Sequence, residues 1–106
     1  MKPKIRIVYR KITNPHLPVA KYYPRGYRKG KTEVVTSAVI KLDPILKKPQ
    51  NKEMKKIILK HETDEIKVRA KGVPKKIAHQ RAVGKEPKGF TEKYPTNRSL
   101  QKELRK

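Results

Sequence analysis

The chain has no cysteine, no tryptophan and a single phenylalanine, and it sets only nine carboxylates against 30 Lys and Arg. Each shortage excludes something. Without cysteine there is no disulfide and no thiolate metal site, so any metal must be taken by His, Asp or Glu. The same absence points to a reducing, intracellular setting, cytoplasmic or nucleoid-associated. No apolar run approaches the length of a membrane span, and no signal-type apolar stretch follows Lys2 and Lys4. Hydrophobic residues make up 34% of 106, enough for one small core and one domain.

What the sequence has in excess is positive charge, a formal net +21. Such a surplus repels itself unless a polyanion neutralises it. An anionic membrane would call for a basic amphipathic helix with Trp, Phe or Leu on its other face, and none is evident. Adaptation to heat raises both signs of charge together, whereas here only Lys and Arg are high. Nucleic acid is therefore the first expectation as partner.

The excess is uneven. Residues 1–32 hold ten Lys/Arg and no acid before Glu33. Alternation in residues 4–12 (KIRIVYRKI) predicts a strand with one basic face. Residues 13–31, with three prolines and two glycines, read as a long loop. The β-branched run 33–42 (EVVTSAVIKL) reads as a second, more buried strand. The period then turns helical over 52–71, with Asn51 as a cap, Glu53 in the first turn and Gly72 beyond the end. A short second helix opens at Pro74 and closes on Gly84. The expected architecture is α+β: a small antiparallel sheet of two or three strands backed by one long and one short helix. Residues 1–84 form the basic domain and 85–106 a basic C-terminal tail, whose end from about Asn97 is expected to form one or two helical turns when bound.

Two groups of residues carry candidate chemistry. In 21–31 (KYYPRGYRKGK), Tyr22, Tyr23 and Tyr27 are interleaved with Lys21, Arg25, Arg28 and Lys29. Cations track phosphates, and tyrosine rings offer faces on which unpaired bases stack. With Arg6 and Arg10 of the first strand these form the expected nucleic-acid-binding set, the plainer reading being tyrosines that cap the core. RNA is slightly favoured over DNA because such loops suit unpaired bases. A ribonucleoprotein or ribosome-associated role and a chromosome-associated role both fit, and neither requires a cofactor.

The second group lies on the long helix. Three of the nine carboxylates, Glu62, Asp64 and Glu65, directly follow His61. At about 100° per residue, Lys56, Lys60, Thr63, Asp64, Lys67 and Lys71 share a wet face. His61, Glu62, Glu65 and Arg69 fall in the apolar arc instead. Polar groups there must be paired. One solution is a ladder, His61–Glu65–Arg69, at one-turn spacing. The other solution gives the cluster chemistry. His61 and Glu65 could take a divalent metal with His79 as third ligand and Glu62 as base, a departure from the H-E-x-x-H zinc motif with a carboxylate for the second histidine. Without metal, His61 with Glu62 or Glu65 could act on a ribose hydroxyl while Arg69 or a loop lysine steadies phosphorane charge. The alternative function is thus a small nuclease, ribonuclease-like or metal-dependent, using His61, Glu62, Glu65, Arg69 and His79.

Residues 58–82 also resemble a pattern of phage-linked and toxin-type small domains: His-Glu-x-x-Glu, a Gly, then an Ala-His helix. His61, Glu62, Glu65, Gly72, Ala78, His79 and Ala82 carry it, over about a fifth of the chain. The resemblance implies that the two histidines belong to one site. His16, framed by prolines, is expected to face solvent or a phosphate.

Overall fold

Val35, Ala38, Ile40 and Leu42 come from the β-branched run and are no more than 3% exposed. They make strand β3 (Thr32–Leu42) the centre of a three-stranded sheet in the computed structural model, which describes residues 2–106. Strands β1 (Lys4–Tyr9) and β2 (Ala20–Lys29) flank it in the order β1-β3-β2. One sheet face buries its side chains beneath helix α1 (Lys52–Arg69), so the α+β class holds.

The sheet is mixed rather than antiparallel: β1 runs parallel to β3, and β2 runs antiparallel to it. The reason lies in residues 10–19, which cross the end of β3 and deliver the chain to its far edge. Asp43, 2% exposed, anchors that crossing. Its carboxylate accepts from the Ile12 and Ile45 amides at 2.9 and 2.8 Å, and its own amide donates to the Val19 carbonyl at 2.8 Å. Buried backbone amides in a connection need such acceptors.

The expected loop over 13–31 is the main correction. Its second half is β2, hydrogen-bonded along β3 from Ala20↔Leu42 to Lys29↔Thr32. Pro24 is tolerated because β2 is an edge strand, where a missing amide costs little. Gly30, with φ +64°, opens a two-residue turn into β3, as a type II′ hairpin turn requires. Gly26 sits at a bulge, where an added Cβ would lie 1.9 Å from the Val34 carbonyl oxygen. Gly26→Ala should therefore destabilise the fold by roughly 2–3 kcal/mol, as overpacking does. A urea titration checks this, and an unchanged midpoint would contradict the bulge geometry.

Helix α1 starts where the sequence indicates, but Asn51 does not cap it. Its side-chain amide instead donates to the carbonyls of Ile45 and Leu104, both at 2.8 Å. Ile58 and Ile66 pack into the core, and Gly72 (φ +86°) closes the helix end. Pro74 stands at the N-cap of α2 (Lys75–Gly84) rather than in its first turn. Ala78 and Ala82, both buried, let α2 approach α1 closely.

The C-terminal segment is docked. After the short α3 (Phe90–Lys93), helix α4 (Asn97–Leu104) opens with a capping box at Thr96 and Ser99. Leu104 is fully buried in the core. Gln101 Nε2 donates to the carbonyls of Asn14 and Leu17. Among the described residues no helix is long and apolar enough to cross a membrane.

Candidate functional site

The inner arc of α1 presents His61, Glu62, Glu65 and Arg69 in successive turns, and the tight Gly72–Val73 connection folds α2 back alongside. That return brings His79 to His61, with ring centroids 5.0 Å apart and planes inclined at 70°. Between them stands Glu65, only 2% exposed. Its Oε1 lies 2.8 Å from His79 Nδ1 and 3.9 Å from His61 Nε2. One ligating atom from each of the three residues fits within 4.8 Å of the others.

The surroundings orient these groups. Glu86, beyond the end of α2, contacts His61 Nδ1 at 2.5 Å and also accepts from Thr91 Oγ1. A carboxylate on Nδ1 orients the ring and leaves Nε2 directed toward Glu65. Nε2 and the Glu65 carboxylate oxygen face each other at 3.9 Å, beyond hydrogen-bond reach.

Behind Glu65, the Tyr22 hydroxyl of β2 accepts from Arg69 Nη1 at 3.1 Å. Burial first, and then the hydrogen bond with Glu65, push the Tyr22 phenol well above its ordinary range, so it stays a neutral donor toward that carboxylate. Arg69 itself turns to Glu33 at 3.4 Å. The predicted ladder therefore does not close: His61 and Glu65 approach only to 3.9 Å, and Arg69 pairs with the sheet instead. Arg69 is buried behind the cluster, so it is not a group that reaches a transition state.

Glu62 is half-buried beside His61. Burial, and next the charge of Glu65, raise its pKa to about 8 against the opposing pull of Lys75. Two clefts open at this point. One, about 130 Å³, is walled by Val19, Ala20, Ile58, Phe90 and Leu100 and reaches His61 and Glu62. The other, about 160 Å³, holds Lys56 and Lys85 beside His61 and Glu86.

Two imidazoles and one carboxylate are the donor set of a catalytic rather than a structural zinc ion, since three protein ligands leave a coordination position open. A tetrahedral ion with bonds of about 2 Å spaces its ligands about 3.3 Å apart; the two Glu65 separations bracket that value, and the three donors, within 4.8 Å of one another, would draw in slightly around it. The residues fit the ion.

The nucleic-acid set predicted from the sequence divides. Tyr22 points inward and belongs to the cluster just described. Arg6, Lys21, Tyr23 and Arg25 lie on the opposite face of the sheet. Tyr27, Arg28 and Lys29 approach the β2–β3 hairpin tip, and Arg10 follows the end of β1. His16 is exposed, as expected. Sequence reasoning missed Glu86 and Asp43. Glu86 carried no signal beyond being a lone acid among basic residues. Asp43 stands directly before a proline, where an acceptor commonly caps a turn. Comparison of the chain with family models, curated proteins and solved structures gave no match.

Proposed function

We propose that the chain is a small divalent-metal hydrolase acting on the phosphodiester backbone of nucleic acid. The observation that carries this reading is the convergence of His61, Glu65 and His79, one donor atom from each lying within 4.8 Å of the others, with His61 Nε2 3.9 Å from Glu65 Oε1. His61, Glu65 and His79 would hold a zinc-type ion, with Glu86 orienting the His61 ring and Tyr22 the Glu65 carboxylate. Such an ion would supply Lewis acidity and lower the pKa of water.

Glu62 is the base. It takes a proton from the attacking water as oxygen bonds to phosphorus, and it returns that proton to the departing sugar oxygen as the P–O bond breaks. Lys56 and Lys85 in the adjoining cleft offset charge on the phosphoryl oxygens. The net charge of +21 supports a polyphosphate substrate over a peptide.

Calorimetric titration of chelator-stripped protein with zinc should give one equivalent bound, lost in His61→Ala and in Glu65→Gln. Labelled RNA and DNA should be cut by the metal-loaded protein and spared when chelator is present. Equal zinc uptake by wild type and His61→Ala would end the metal assignment. Cleavage of an unstructured protein with both nucleic acids untouched would keep the metal and overturn the substrate.

A further inference from the structure

The sheet has a second face, turned away from the helices and the metal cluster. Strand register sets its residues in rows: Lys4 beside Ser37 beside Arg25, and Arg6 beside Val39 beside Tyr23. A third row runs Val8, Lys41, Lys21. Alternation along each strand brings all nine to one side, opposite the buried Ala20, Tyr22, Ala38 and Ile40. Five are cations and none is an acid. The sheet's one carboxylate, Glu33, is engaged with Arg69.

A shallow recess of about 620 Å³ runs over this face and is walled only by strand residues. At its middle stands Tyr23, 45% exposed, with Lys41 Nζ 4.6 Å and Lys21 Nζ 5.5 Å from its ring centroid. A second recess of about 240 Å³ adjoins Tyr23, floored by Ile12, Leu17 and Pro18 and edged by Arg10.

We infer that this face is a docking platform for single-stranded nucleic acid, with Tyr23 stacking a base and Lys4, Arg6, Lys21, Arg25 and Lys41 meeting the phosphates. Stacking needs an unpaired base with a free π-face, and an aromatic ring on an open, basic sheet supplies the complement. Duplex bases are already stacked and offer no such face. An anionic bilayer would match the charge, but the nine residues of this face include no Trp, Phe or Leu, and Leu17 in the adjoining recess is a single exposed leucine rather than an apolar helix face. The platform goes beyond the metal-site reading, because the two occupy opposite sides of the sheet and share no residue.

The test is fluorescence anisotropy of a labelled 15-mer of deoxythymidine with the full chain in chelator, so that no turnover intervenes. Tyr23→Ala should weaken binding about 10- to 100-fold, while Tyr23→Phe keeps the stacking face and should bind as wild type. Five phosphate contacts predict a log–log salt slope near −3.5, about a 100-fold loss from 50 to 200 mM salt. Arg6→Gln with Lys41→Gln should make that slope shallower by about 1.4. Lys76→Gln, an exposed cation of α2 on the helical side, should bind nearly as wild type, which separates the platform from positive charge elsewhere on the chain. Wild-type affinity in Tyr23→Ala, or an unaltered slope in the double variant, would overturn the platform. So would binding to phosphatidylserine vesicles without binding to the oligonucleotide.

Discussion

Glu62→Gln should lower the rate of phosphodiester cleavage by about 10²- to 10⁴-fold, the usual worth of a positioned general base. The amide keeps the shape of the carboxyl group but cannot hold a proton taken from water. Because Glu62 is not among the three ligating residues, zinc should bind the variant with wild-type stoichiometry. That pairing, metal retained and turnover lost, distinguishes a base from a ligand, and undiminished cleavage by Glu62→Gln would remove the residue from the mechanism. The same substitution has a second readout in metal-free protein. Folded Glu62 titrates near 8 instead of its ordinary 4.5, so between those values the folded chain holds a proton that the unfolded chain has released. Its contribution to stability is complete below pH 4.5 and is lost as pH rises toward 8. Glu62→Gln should flatten that decline, as denaturant midpoints measured across this range would register.

Leu104→Ala should destabilise the domain by about 2–5 kcal/mol, the range for a leucine truncated in a packed core. Leu104 lies two positions before Lys106 and is fully buried in the core. Its backbone carbonyl also takes a hydrogen bond from buried Asn51, so loosening α4 strands a polar group at the start of α1. For a domain of this size such a loss lowers Tm by roughly 10 °C or more. A Tm shift of only a degree or two would mean that α4 docks without supporting the core. The consequence reaches the site, since α4 and the segment before it wall the cleft at His61 and Glu62 with Phe90 and Leu100.

These two substitutions mark where sequence reading succeeds and where it stops. The cluster on α1 was legible because helical periodicity is local. At 100° per residue, His61, Glu62, Glu65 and Arg69 had to share the apolar arc, whatever packed against it. The tight glycine connection likewise made α2 a neighbour of α1. Which partner each polar group chose was not legible. Arg69 pairs with Tyr22 and Glu33 from the sheet, and His61 takes Glu86 from beyond α2, across 25 positions of chain.

The basic arm shows the same division. Its composition announced affinity for a polyanion. Prolines and glycines hid the strand because each is tolerated for a reason outside the local sequence: an edge position for Pro24, a bulge for Gly26. Only pairing with β3 separates inward Tyr22 from outward Tyr23, since neighbouring side chains on a strand point to opposite faces.

By itself, then, the sequence determined the charge, the α+β class, the helix bearing His61 and Glu65, and the exclusion of thiolate chemistry. Those properties rest on composition and short-range periodicity. Tertiary structure alone decided the parallel pairing of β1, the docking of α4, the orientation of His61 by Glu86, and the separation of the His61–Glu65–His79 cluster from a basic sheet face. Each of those depends on contacts between residues distant in the chain, and no local pattern encodes which of several chemically suitable partners arrives.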